Sequence, residues 1–165
     1  MARFIALLRG INVSGHKKIP MAELRELCEG CGYAEVRSYI QSGNLIFNSA
    51  SADKAEAIEL ALEKAIAAKF GFSVDVLVRS AQKWPALLQG NPFPQAAAAA
   101  PNLVMMALGK RPPHKDAVAA LRERAKNGER IESAGEAIWF HYAQGVAGSK
   151  LSPALIDRLV GSPVT

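Results

Sequence analysis

The order of the apolar segments constrains this chain more than any single motif. Phe4 to Leu8 is an unbroken apolar run of strand length. It leads to Pro20 to Cys31, where Met21, Leu24, Leu27 and Cys28 recur at helical spacing ahead of Gly32. Pro20 suits the first helical turn, where the N–H that proline lacks has no partner to lose. Val36 to Gln41 and Leu45 to Asn48 read as two short strands joined by Ser42-Gly43-Asn44, residues that supply the positive φ of a tight hairpin. Ser51 is placed to cap a second helix ending at Gly71, with Ile58, Leu62, Ile66 and Phe70 as its stripe, and Val74 to Val78 follows as a strand.

Strand, helix, strand, strand, helix, strand is the order of the split βαβ, or ferredoxin-like, unit, a four-stranded antiparallel sheet backed by two helices. The chain nearly repeats it. After a helix starting near Ser80 and a loose segment, Gly90 to Pro101, come a strand (Leu103 to Leu108), a helix (Lys115 to Ala125), a hairpin (Arg130 to Ser133 with Ala137 to Tyr142) and a helix (Pro153 to Val160). This second half lacks a final strand. The expected class is α+β, with two ferredoxin-like halves packed into one compact domain. Residues 1–89 form the first half with its following helix, 90–102 a Pro/Ala-rich connector, and 103–165 a second half that is short at its C-terminus.

At 165 residues and 50% hydrophobic, the chain is long enough for one core and too short for two full-sized domains. No run approaches the roughly 20 apolar residues of a membrane span, because Pro101 and Asn102 interrupt Ala96 to Leu108. The apolar run after Met1-Ala2-Arg3 ends at Arg9, too soon for the core of a signal peptide, and two cysteines make no disulfide framework. The expectation is a cytoplasmic protein without a membrane partner.

In a βαββαβ sheet the first two strands run parallel, so the loop after the first and the turn after the second emerge at one edge. That edge gathers Arg9, Gly10, Asn12, Gly15, Lys17 and Lys18 with Gln41, Ser42, Gly43 and Asn44. Acidic residues are absent from Met1 to Ala22 and again from Val76 to Lys115, so much of the net charge of +5 falls on two strand-to-helix loops. A glycine-bearing loop entering a helix presents free N–H groups and the positive end of the helix dipole, which lysines reinforce for an oxyanion. A small anionic or phosphate-containing ligand is the expected partner. Nucleic acid is less favoured, because the charge forms no continuous stripe.

Other motifs fail on their details. Gly10 and Gly15 have P-loop spacing, but His16 and Lys17 stand where the phosphate-binding Lys and the Mg²⁺-binding Ser or Thr belong. Cys28-Glu29-Gly30-Cys31 lies at a helix C-terminus, where the dipole disfavours a thiolate, and His16, His114 and His141 lack zinc-finger spacing. Neither a metal nor a cofactor is expected. Ser149-Lys150, before the last helix, sits in an acid-free run from Ala137 to Ile156, as a connector with a solvated lysine also would. Trp139-Phe140-His141-Tyr142 is not an RNP motif, and strand alternation sends Trp139 and His141 one way, Phe140 and Tyr142 the other.

Leu8-Arg9-Gly10-Ile11-Asn12-Val13 with Gly15, then Gln41-Ser42-Gly43-Asn44, Asn91-Pro92-Phe93 and Gly148-Ser149-Lys150-Leu151 follow one another in an order and spacing that resembles domain of unknown function (DUF) family 1697, small bacterial proteins. The resemblance spans nearly the whole chain. It implies two ferredoxin-like halves but does not supply an activity, and it adds Asn91, Ser149 and Lys150 to the candidate ligand-binding set. Such proteins usually continue past the final helix into a segment resembling T-x-R-N-W-x-T, which would begin here at Thr165. The primary expectation is a binding module for a small anion. One alternative is an enzyme at the same edge with Lys150 or His16 as acid or base, its catalytic residues unassigned. The other is a structural lock in which Arg9, Asn12, Gln41 and Asn44 join the halves of a protein that acts through a partner.

Overall fold

A computed structural model describes residues 1–50 and 54–165. The mixed α+β class holds: the described residues form two antiparallel sheets with six α-helices. The chain divides into two compact units, Met1–Trp84 and Pro85–Thr165.

The first unit runs β1 (Ala2–Leu8), α1 (Met21–Gly30), β2 (Ala34–Tyr39), β3 (Asn44–Ser49), α2 (Ala55–Phe70) and β4 (Val76–Ser80). Its strands lie in the order β2-β3-β1-β4, each antiparallel to its neighbours. Since β1 and β2 are both antiparallel to β3, they are parallel to each other, and their C-terminal ends share one edge of the sheet. Alternation along the strands buries Phe4, Ala6 and Leu8 of β1 and Leu45 and Phe47 of β3. These pack with Leu24, Leu27 and Cys28 of α1 and Ile58, Leu62 and Ile66 of α2. The expected cap Ser51 lies outside the described residues, and Lys54 occupies the N-cap position. Gly71 ends α2 in the left-handed conformation, with φ 78°. The outer edge of β4 is closed by that helix: Val76 N donates to Glu63 Oε1 at 2.9 Å and Val78 N to Glu59 Oε1 at 2.8 Å. Glu59 is buried and ion-paired with Arg79 at 3.7 Å, so an edge that could template aggregation is occupied by carboxylates.

The helix expected near Ser80 begins there as a 3₁₀ turn, Ala81–Lys83, whose cap Ser80 Oγ accepts from Gln82 N, and it runs on as α3 (Trp84–Gln89). The second unit continues with α4 (Pro94–Ala99), β5 (Val104–Leu108), α5 (Ala117–Arg124), β6 (Arg130–Ala134), β7 (Ala137–His141) and α6 (Pro153–Val160), its sheet ordered β5-β7-β6. Two sequence expectations need correction. The segment Gly90 to Pro101 is not loose throughout, because Pro94 sits in the first turn of α4, where its fixed φ favours helix. The final strand is also not wholly missing. Leu108 N donates to Thr165 O at 2.8 Å, Thr165 N to Leu108 O at 3.0 Å and Lys110 N to Pro163 O at 2.9 Å, which lays the last residues beside the end of β5.

Phe140 and Tyr142 face a second core with Ile131, Ile138, Ala117, Leu121, Leu151 and Val160, their rings stacked at 5.7 Å. Trp139 is buried as well, and His141 lies 5.8 Å from Phe93. No helix among the described residues is long and apolar enough to cross a membrane.

Candidate functional site

The loop after β1 holds an unusual backbone. Gly10 (φ 66°), Asn12 (55°), Ser14 (50°), Gly15 (78°) and Lys17 (46°) are all left-handed, a region that is costly for side chains other than Gly, Asn and Asp. Asn12 holds the loop in shape. Its Nδ2 donates to Ile19 O at 3.0 Å and to Gln41 O at 2.8 Å, while its Oδ1 accepts from Ile19 N at 2.9 Å. Its own backbone N–H donates to Lys17 O, and His16 N to Val13 O closes a small turn between them. One amide side chain thus ties the β1 loop to the β2–β3 turn.

The turn meets the loop from its own side. Leu8 N donates to Gly43 O at 3.2 Å. Gly43 (φ 81°) is packed so closely that a Cβ would lie 2.5 Å from Ile11 Cδ1 and 2.9 Å from Leu8 Cβ. Asn44 Nδ2 donates to Tyr39 O at 3.3 Å and Ser42 Oγ at 3.1 Å, which fixes the four residues between β2 and β3.

Between loop and turn opens a cleft of about 470 Å³, lined by Asn12, Gly15, Lys18, Ile19, Pro20 and Gln41. Asn12, Gly15, Lys18 and Gln41 belong to the sequence-derived set. Ile19 and Pro20 do not, although Pro20 carried a signal: as the N-cap of α1 it offers no side-chain hydrogen bond, leaving the first-turn N–H groups without a side-chain cap. The lysines separate. Lys17 Nζ donates to Ser73 O at 2.7 Å, whereas exposed Lys18 lines the cleft. Arg9 contributes backbone structure through N–H donation to Asp75 O, and Gly10, Ser42, Gly43 and Asn44 shape the two segments without lining the cleft. The described bonds of Asn12 and Asn44 fall inside the first unit, so they tie its loop to its own hairpin.

Asn91, Ser149 and Lys150 belong to the second unit. Asn91 Oδ1 accepts from Phe93 N at 2.8 Å, setting the approach to α4. Ser149 Oγ donates to Glu129 Oε1 at 2.5 Å and accepts from Leu151 N at 3.1 Å, and Lys150 is exposed. Burial acts to raise the Glu129 carboxyl, but the hydrogen bonds from Ser149 and from nearby backbone N–H groups outweigh it and hold the group below its ordinary value. Burial, then the negative charge of Glu129, raises the Tyr142 phenol. Sequence reasoning missed this carboxylate because its partner lies 20 residues away, outside any local pattern.

Cys28 is buried in the first core, and burial, then the charges of Cys31 and Glu29, push its thiol up to about 12; burial also raises Cys31. Neither thiol is poised as a nucleophile. Among the described residues, no group of three or more His, Cys, Asp and Glu could hold a metal ion.

The family model described as protein of unknown function (DUF1697) matches residues 1–139, and the chain belongs to that family. Among solved structures, the chain is similar to the conserved bacterial protein SP0830 from Streptococcus pneumoniae, with 25% identity, a TM-score of 0.74, and coverage of 98% of this chain and 97% of that one. No curated protein matches the chain.

Proposed function

We propose that the protein is a binding module for a small anionic or phosphate-containing ligand, seated in the cleft between the β1 loop and the β2–β3 turn. The observation that carries this reading is that Asn12, Gly15 and Lys18 of the β1 loop and Gln41 of the β2–β3 turn line one cleft with the uncapped start of α1. Lys18 supplies charge, and the amides of a left-handed, glycine-bearing loop supply donors. Glu23, the acidic residue of the first turn of α1, is paired with Lys69 at 3.7 Å, which reduces its repulsion of an anion. The free thiols of Cys28 and Cys31 support a reducing, cytoplasmic setting.

The two units are, in this reading, related ferredoxin-like halves. A matched pair of backbone bonds supports the relation: Arg9 N to Asp75 O in the first unit and Lys110 N to Pro163 O in the second, each just past the end of the opening strand. The Lys110 loop is then the counterpart of the Arg9 loop and the natural control.

Calorimetric titration with inorganic phosphate tests the function. Lys18→Ala removes a charge-assisted contact worth about 1.5–3 kcal/mol and weakens binding about tenfold or more. Lys110→Ala leaves it unchanged. Equal binding by wild type and Lys18→Ala overturns the assignment of the site.

A further inference from the structure

The outer edge of β5 carries a strand ladder that stops partway. Tyr142 N donates to Leu103 O, so in the β5–β7 pair the N–H and C=O groups of residues 103, 105 and 107 turn toward β7 and those of 104, 106 and 108 turn outward. Leu108 pairs both of its outward groups with Thr165, and Val104 N donates to Pro101 O. The outward N–H and C=O of Met106 have no partner among the described residues. Beside that edge lies a cavity of about 270 Å³ whose walls include Met105, Met106, Phe140, Leu151, Ile156 and Val164. Its apolar wall follows from alternation: Met105 pairs with Phe140 and Ala107 with Ile138, which turns them to the face packed against α5 and α6. Met105 is still 42% exposed. The outer edge of β4 is closed by Glu59 and Glu63, whereas β5 has no charged residue and no proline to guard its own.

We infer that this edge accepts an extended segment of a partner protein as an added strand, bonded to Met106 through its backbone and apolar at the alternate positions that enter the cavity. Two observations select a strand over a small apolar molecule. The unpaired groups of Met106 continue the line of the bonds from Leu108 to Thr165 and from Lys110 to Pro163, so the added strand extends an existing ladder. The cavity lies on the face to which the residues flanking the Met106 partner would turn, because paired residues share a face and their neighbours take the other. A second copy joined through its own β5 does not fit. Pairing centred on Met106 would set Val104 of one copy against Leu108 of the other, where Thr165 already lies.

The probe is the peptide acetyl-Lys-Val-Thr-Val-Lys-amide, titrated into the full chain and followed by backbone amide shifts. When both valines enter the cavity, the threonine nitrogen faces Met106 and the valine nitrogens face away. Methylating the threonine nitrogen is expected to weaken binding at least about tenfold, whereas methylating the second valine nitrogen leaves it unchanged. The Met106 amide should shift and exchange more slowly with solvent. Met106→Pro, which removes the outward donor at an edge position where proline is tolerated, should abolish binding while the amides of Leu121 and Phe140 in the second core stay in place. The methylated peptides test the same point on the unaltered protein. Equal affinity for all three peptides overturns the inference. So do shifts at Leu151 and Ile156 that leave the Met106 amide unmoved, which would mean an apolar side chain bound without a strand. Protection of the Met106 amide that rises with protein concentration alone would make a second copy the occupant and overturn the partner assignment, and an absence of binding by the unmethylated peptide overturns it as well.

Discussion

Replacing Asn12 with alanine is the perturbation whose effect follows most directly from the geometry. The substitution deletes hydrogen bonds to Ile19 O, Ile19 N and Gln41 O, at 3.0, 2.9 and 2.8 Å. Ile19 is 1% exposed, so its peptide groups are left short of partners, at a cost of about 1–3 kcal/mol. The bond to Gln41 O is exposed and adds little, because water replaces it. Alanine at φ 55° adds about 1 kcal/mol that asparagine largely avoids. The expected loss is about 2–4 kcal/mol. A chain with two units need not melt in one step, so the suitable assay is native-state hydrogen exchange at Ala6 and Phe47, buried in the first unit. Asn12→Gly keeps the backbone conformation while losing the bonds, and should be about 1 kcal/mol less damaging than Asn12→Ala. A loss below about 0.5 kcal/mol for Asn12→Ala, within the range of an ordinary surface change, would refute the bracket.

Other outcomes follow from the same structure. Gly43→Ala should destabilise the first unit by more than about 2 kcal/mol in a denaturant melt, since its Cβ would press on Ile11 and Leu8 at a positive φ. Ile40→Gly should stabilise that unit by up to about 1 kcal/mol, visible as a higher denaturation midpoint. Because the folded Glu129 carboxyl is held below its ordinary value, its contribution is fully present above the unfolded value and is lost as pH falls through the folded one. Glu129→Gln should therefore flatten the acid-side decline in stability of the second unit, and an unchanged pH profile would contradict the role given to the Ser149 bond.

The apolar patterns that announced β1, α1, α2 and β7 were legible because each lies against a core, so burial writes its period into the sequence. Helix α4 was hidden because Gln95 and its alanines bury no stripe, and Pro94 at a helix start looks like Pro in a loop. The pairing of Thr165 with Leu108 was hidden because three residues carry no strand period. At the site, the strand order alone puts Asn12 and Gln41 at one edge of the sheet, where they bond. Which lysine faces the cleft was not readable, since Lys17 and Lys18 are chemically alike and only the contact with Ser73 separates them. The left-handed Ile40 had no sequence signal at all, because β-branched residues normally avoid that conformation.

The central claim is that the cleft between the β1 loop and the β2–β3 turn takes an anion, and amide chemical-shift mapping during a phosphate titration tests it most directly. The account predicts saturating shifts at Gly15, Lys18, Ile19 and Gln41, with the Gly109 to Lys115 loop of the second unit still. Shifts that never saturate, or that concentrate on Gly109 to Lys115, would contradict it.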